Sequence, residues 1–410
     1  MRKKTFLILF VLAAVLMSRA ESRWTFYGAY HNSLVNLPVG DKVFSLCDGS
    51  IFSFSPSDNE AKIYNKVTGL SDADIKMMSY CEDLKCFVLV YSNSNIDVFY
   101  PEQEKMSNLP QLKNSSLADK TVNDLTISGK NAYIATNSGV SVMNISRLEF
   151  SKTYNIGAVN SAVCHDGKIM AATSSGILQG NESENLLDPN KWNKLNVSAF
   201  TKLRVFGNKL YAQTQQIYEI NTTSGEAAMI DNVPATFFCV DNSSYMFFGN
   251  SDVAYEYSPD GAKNMICRSN TFKYLSFSGG TYWASCGFNG TQPYKKDDTG
   301  LLKAVSNGVT LDSPIRNYCA FMNVSPSNKI LVAGGTLNYN RQNFDGTLYS
   351  YQNGKFFNFE DTISSYTGAL YRNLTGVAED PLDPDHVFAT SGETGLYEFR
   401  NGKYVNHYDL

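Results

Sequence analysis

A short apolar strand, a small or polar turn that usually holds glycine, and a second strand of alternating residues return along the whole chain. This repeat restricts the possible folds more than any other feature. It is clearest over Ala132 to Met143 and reappears over Lys168 to Leu178 and over Val387 to Phe399. Weaker copies begin near Lys42, Cys86, Lys209, Tyr245, Tyr282 and Lys329, and most copies are followed by another candidate strand, such as Ala61 to Tyr64 or Lys355 to Phe359. Nine units share the roughly 390 residues behind the leader, about 43 each, and a period near 40–45 with several strands per unit is that of a β-propeller. Helical periodicity is weak, with only short stretches such as Glu184 to Lys194 able to form a helix, which excludes a stacked helical repeat. The fold class is therefore all-β. Residues 21–410 form the propeller region, with the last unit over about 380–410.

Alternating side chains such as Tyr133, Ala135, Val140 and Val142 are suited to packing between neighbouring blades. Gly139, Gly176 and Gly395 recur at the turn, where the backbone needs a conformation that a side chain would penalise, and equivalent positions are expected for all three. Nine units exceed the 4–8 blades of an ordinary ring. The expectation is one ring of seven, with two extra blades belonging to a second, incomplete propeller. The chain stops at Tyr408-Asp-Leu410 directly after the ninth unit, as the first part of a longer architecture would. The extra units are expected at the two ends, Lys42 to Lys66 and Val387 to Leu410, with an exposed apolar patch around Phe388, Tyr397 and Phe399.

The first 20 residues read as a secretory signal peptide. Arg2, Lys3 and Lys4 precede an uncharged apolar run from Phe6 to Met17, and Ser18-Arg19-Ala20 supplies small residues for cleavage before Glu21. That run is too short to span a bilayer, and no later stretch reaches the roughly 20 apolar residues a spanning helix needs. The protein is expected to be exported, to the periplasm or outer surface of a Gram-negative cell, with no transmembrane span after cleavage. Tyr and Phe number 25 each, and charged residues make up only 18%, as suits pleated, half-buried surfaces. A net charge of −4 argues against nucleic acid, which requires a basic face. Of the eight cysteines, Cys81 and Cys86 bracket a candidate hairpin turn. They read either as a cross-strand disulfide or as two separate buried thiols. No CxxC and no Cys/His cluster has zinc spacing.

No catalytic site is legible, and no cofactor is expected. His31, His165, His386 and His407 sit in no metal or triad spacing, and hydrolase elbow, P-loop and HExxH motifs are missing. Asp72 and Asp74, and the group Asp380, Asp383 and Asp385, most simply build turns and a lead-in loop. The aromatic start, Trp24, Phe26, Tyr27 and Tyr30, reads as a ligand-stacking face or, more simply, as an edge strand that helps close a ring. Lys295 and Lys296 beside Tyr294 read as solvated surface. The ligand-binding residues are unknown at this level.

Several segments follow one another in a familiar order: Trp24 to Tyr30, the hairpin Asp48 to Phe54, Val67 to Ile75, Tyr91 to Asp97, Asp119 to Asp124, Tyr133 to Gly139 and the closing Gly395 to Phe399. Together these resemble the N-terminal propeller region of PorZ-type proteins of the Bacteroidetes type IX secretion system. The resemblance implies two seven-bladed propellers and a C-terminal sorting domain, and against that pattern this chain is expected to lack most of the second propeller and the sorting domain. It implies a non-catalytic binding and scaffold module at the cell surface. Its implied partners are the sortase and other components of the system, and its implied ligand is anionic lipopolysaccharide, delivered to that sortase. The family supplies no short motif of functional residues to carry over. Val67 to Ile75 also resembles the propeller sensors of hybrid two-component regulators, so a ligand-sensing periplasmic propeller is the alternative.

Overall fold

Middle strands buried on both faces and outer strands open to water are the local signature of stacked blades. The computed structural model describes residues 24–240, 244–335, 343–368 and 370–409; the leader expected over residues 1–20 and the cleavage point before Glu21 lie outside them. Nine four-stranded antiparallel sheets follow one another, spanning 33–64, 75–109, 122–154, 161–196, 202–231, 237–268, 274–304, 321–358 and 374–408. We number them blades 1 to 9. Every blade is built from four consecutive strands. In blade 1, β2 (Lys42–Cys47) and β3 (Ser50–Ser55) are almost wholly buried, whereas β4 (Glu60–Tyr64) is mostly exposed. Asp166-Gly167, Asn353-Gly354 and Asn401-Gly402 all take positive φ, as tight hairpin turns between right-twisted strands require. The only helical turn in the stretch from Glu184 to Lys194 is a single 3-10 turn, Pro189–Lys191, and a strand begins at Asn193.

Blades 1 to 7 form a closed ring. A separate apolar cluster fills each gap between neighbours, including one between blades 7 and 1. In the gap between blades 1 and 2, the Phe44 ring lies 4.6 Å from that of Phe87. The seam between blades 7 and 1 adds polar contacts. Ser33 in β1 (Ser33–Val39) exchanges backbone hydrogen bonds with Gly287, at 2.9 and 3.2 Å. The buried Asn36 carbonyl oxygen accepts from Ser33, Ser45 and Thr291 hydroxyls at 3.2, 2.8 and 2.9 Å. Asn36→Ala strands buried hydroxyls that retain only one another as partners, so it should cost about 2 kcal/mol. Urea denaturation measures this, and an unchanged midpoint would show that the cluster does not hold the seam.

The two extra blades are both C-terminal, which corrects the expectation that one sits at each end: blade 1 is locked into the ring by its contacts with blade 7. Blades 8 and 9 pack on each other. Tyr397 and Phe399 are buried between them, the former 4.9 Å from Tyr371 and the latter 5.6 Å from Phe359. The expected exposed patch around these residues is therefore absent, and Phe388 lies partly buried against the His386 ring. The exposed apolar side chains sit instead on the first strand of blade 8, where Phe321, Met322 and Val324 are 39%, 59% and 64% exposed. Blade 9 begins at Leu374, several residues before the expected unit boundary.

The aromatic start forms no strand, contrary to the edge-strand reading. It straps the ring to blade 8. The Tyr27 hydroxyl meets that of Tyr351 at 2.9 Å, the Ala29 amide donates to Asn317 at 2.7 Å, and Tyr30 packs edge-on against Phe52. Arg316 completes the junction. Its guanidinium donates to Asp361 at 2.8 Å and lies over the Phe288 ring of blade 7 at 4.4 Å.

Candidate ligand site in the axial channel

A ring of identical meanders repeats by rotation, so the first strands of all seven blades run the same way along the axis and their first residues share one mouth. These strands surround a channel of about 670 Å³. Three of them begin with lysine or just before it: Lys76 in β5 (Ile75–Cys81), Lys202 in β17 (Lys202–Phe206), and Lys273 directly before β25 (Tyr274–Ser278). The lysines thus come from blades 2, 5 and 7 and converge on one end of the channel. The Lys76 ammonium donates to the Val122 carbonyl of blade 3 at 2.5 Å, and that of Lys202 reaches the Phe238 carbonyl of blade 6 at 3.4 Å.

Slightly deeper lies a paired charge. Asp124 in β9 (Val122–Ser128) accepts from Arg204 at 2.6 and 3.0 Å, a bidentate contact that reaches across blade 4. Ser161 of blade 4 fills the space between, donating to Asp124 at 2.5 Å and accepting from the Leu203 amide at 2.9 Å. Asp124 therefore neutralises Arg204, and the three lysines have no carboxylate among the channel-lining residues at their own mouth. Burial, and then the Arg204 charge, pull the pKa of Lys202 below its ordinary value. A cation held out of water beside another cation gains from a nearby anion. The opposite mouth carries two carboxylates. Glu82 and Asp83 stand in the turn after β5, with Lys85 donating to Glu82 at 2.7 Å. The channel can therefore attract and orient an anionic group at its lysine end.

The residues singled out from the sequence lie elsewhere. His31 is partly buried at the strap, 3.2 Å from the Ser313 carbonyl, and His165 ends the first strand of blade 4. In blade 9, His386 bridges Asp380 and Glu398 at 3.3 and 2.8 Å, and His407 stacks on Tyr397 at 4.4 Å. Among the described residues no three His, Cys, Asp or Glu side chains are grouped as metal ligands. Asp72 is a structural acceptor. Burial opposes its ionisation, but hydrogen bonds from Lys113 and Asn93 outweigh this and hold its carboxyl down to about 2. Asp74 takes a positive φ in the same turn, Asp383 pairs with Arg400, and the Asp385 carbonyl accepts from the Asn401 amide. Lys296 is committed to buried Glu256 at 2.8 Å. Sequence reasoning missed Lys76, Lys202 and Lys273, because no motif joins lysines from three blades. A signal was present in the repeat itself: a lysine near the start of a first strand recurs in those blades.

Residues 43–193 match the family model described as the N-terminal β-propeller domain of PorZ of the type IX secretion system. No curated protein matches the chain by sequence. Among solved structures, the chain is similar to PorZ, a bacterial surface component of the type IX secretion system of Porphyromonas gingivalis. The TM-score is 0.82 at 24% identity, over 95% of this chain and 53% of that one, so the chain spans about half the length of that protein. More distant likenesses are an extracellular domain from a one-component system of B. thetaiotaomicron (TM-score 0.45, 10% identity, 94% of this chain and 62% of that one) and the tricorn protease (0.40, 12%, 93% and 39%). No helix of the described residues is long and apolar enough to cross a membrane.

Proposed function

Since residues 43–193 match the model of the PorZ N-terminal β-propeller domain, we propose that the chain is an exported, non-catalytic binding and scaffold module of a type IX secretion system. Its ligand is anionic lipopolysaccharide, which it holds for delivery to the sortase. The observation that carries this reading is the convergence of Lys76, Lys202 and Lys273 on one mouth of the axial channel, where Arg204 is already neutralised by Asp124. An anionic saccharide offers that mouth what it lacks, while the carboxylates at the other end disfavour entry from that side.

The test is binding of the protein to anionic lipopolysaccharide, with lipopolysaccharide lacking the anionic polysaccharide as control. Three cations worth roughly 0.5–1 kcal/mol each sum to about 2 kcal/mol, so the triple change of Lys76, Lys202 and Lys273 to Ala should weaken binding about 30-fold. Raising ionic strength should weaken the unmodified protein and hardly affect the variant. A Lys76→Ala/Lys273→Ala pair leaves the more buried Lys202 in place and should retain an intermediate affinity. Equal binding of the control lipopolysaccharide, or a triple variant of full affinity, would sink the assignment.

A further inference from the structure

Blade 2 carries a pair of cysteines that channel binding does not use. β5 ends on Cys81, β6 (Cys86–Tyr91) begins on Cys86, and the ladder sets the two directly opposite each other. Opposed residues of an antiparallel pair have Cα atoms about 4.5–5.5 Å apart and side chains on one face. That lies inside the roughly 4.4–6.8 Å that a disulfide spans without moving the backbone. Both side chains are fully buried, among Val88, Ile134 and Met143 between blades 2 and 3. The two thiols are hydrogen-bond neighbours, and Cys81 also reaches the Gly129 carbonyl of blade 3 at 3.4 Å. Among the described residues no other two cysteines are partners across a ladder.

We propose that Cys81 and Cys86 form a disulfide in the exported protein, closing the hairpin whose turn holds Glu82 and Asp83 at the acidic mouth of the channel. The proposal rests on export, because that is where an oxidant is at hand. The oxidant is a disulfide, either of a thiol–disulfide oxidoreductase or of glutathione. The Cys81 thiolate attacks one of its sulfurs, expels a thiolate and leaves a mixed disulfide. The Cys86 thiolate then attacks the Cys81 sulfur and expels the second. Two protein thiols lose their protons, and one reagent disulfide takes up two electrons and becomes two thiols. Cys81 is the attacking residue, because the hydrogen bond from Cys86 lowers its pKa while that of Cys86 is pushed up.

The protein is expressed with its own leader in a bacterium with an oxidising periplasm. One portion is unfolded directly in N-ethylmaleimide. Another is reduced, refolded in a glutathione redox buffer and treated likewise. Trypsin cuts after Lys76, Lys85 and Lys105, so the two cysteines fall on separate peptides, 77–85 and 86–105. The expected result in both portions is these peptides linked and free of maleimide, with the other six of the eight cysteines alkylated. Cys81→Ser should leave Cys86 alkylated. Peptides 77–85 and 86–105 both carrying maleimide after refolding would overturn the disulfide. A linked pair after refolding, together with an intact leader and free thiols in the cell, would leave the disulfide standing and remove the export reading.

Discussion

Gly139→Ala is expected to destabilise the ring by about 3–5 kcal/mol. Gly139 opens β11 (Gly139–Asn144), the third strand of blade 3, at φ +144°. A Cβ built there would stand 1.9 Å from the Tyr154 carbonyl oxygen, which belongs to the end of the fourth strand. Backbone cannot rotate aside as a side chain can, so the outer strand must move off its ladder. Backbone strain of roughly 1–3 kcal/mol and overpacking of roughly 1–3 kcal/mol then combine. Gly176 and Gly395 hold the same place in blades 4 and 9, with a Cβ 2.0 Å from the Asn196 oxygen and 2.1 Å from that of Tyr408. The control is Gly167→Ala, where φ is +69° and nothing lies within 4 Å. It should lose only about 1 kcal/mol, from conformation alone. Equal losses at Gly139 and Gly167 in urea melts would show that close approach of the fourth strand is not the cause.

The second large effect is expected at Asp124. Asp124→Ala leaves Arg204 without its counter-ion, beside Lys202, in the channel wall. Breaking a buried pair costs about 3–5 kcal/mol. Because the Arg204 side chain keeps 21% exposure, we expect about 2–4 kcal/mol here. Arg204→Met in the same chain should recover most of the loss, since it removes the stranded charge. The variant also adds a net positive charge to the wall below the lysine mouth, so phosphate or sulfate should raise its melting temperature more than that of the unmodified protein. An Asp124→Ala protein that melts normally and ignores added anions would mean that solvent already screens the pair.

The repeat read from the sequence is the second and third strands of each blade. The copies starting near Lys42, Cys86, Ala132, Lys168, Lys209, Tyr245, Tyr282, Lys329 and Val387 fall at or beside the second strands of all nine blades. These strands are buried on both faces and carry the tight turn, so packing and backbone geometry write the same pattern into them each time. The first strands are less legible because their surroundings differ around the axis: Asn36 serves the seam, Asp124 a charge pair, and Lys76 an open mouth. The channel site was therefore invisible to a reading that follows repetition. The position of the extra blades was missed for a related reason. The residues that seat blade 1 against blade 7 are Ser33, Asn36, Ser45 and Thr291, ordinary polar residues that announce nothing until the ring brings them together.

Closure by consecutive strands has a kinetic cost. In a ring whose last blade borrows a strand from the other end of the chain, a whole ladder would fasten the seam. Here Ser33 and Thr291 meet across 258 residues with only an apolar cluster and a few hydrogen bonds to hold them. The entropy of closing so long a loop is about 5 kcal/mol, against much less for each contact between sequential blades. Blades 1 to 7 should therefore assemble as an open crescent, with the join formed last. A chain emerging N-terminus first keeps the outer face of blade 1 waiting for blade 7 until most of the ring has been made. That face carries Val43, Phe52 and Phe54, and it is the surface a chaperone would have to shield.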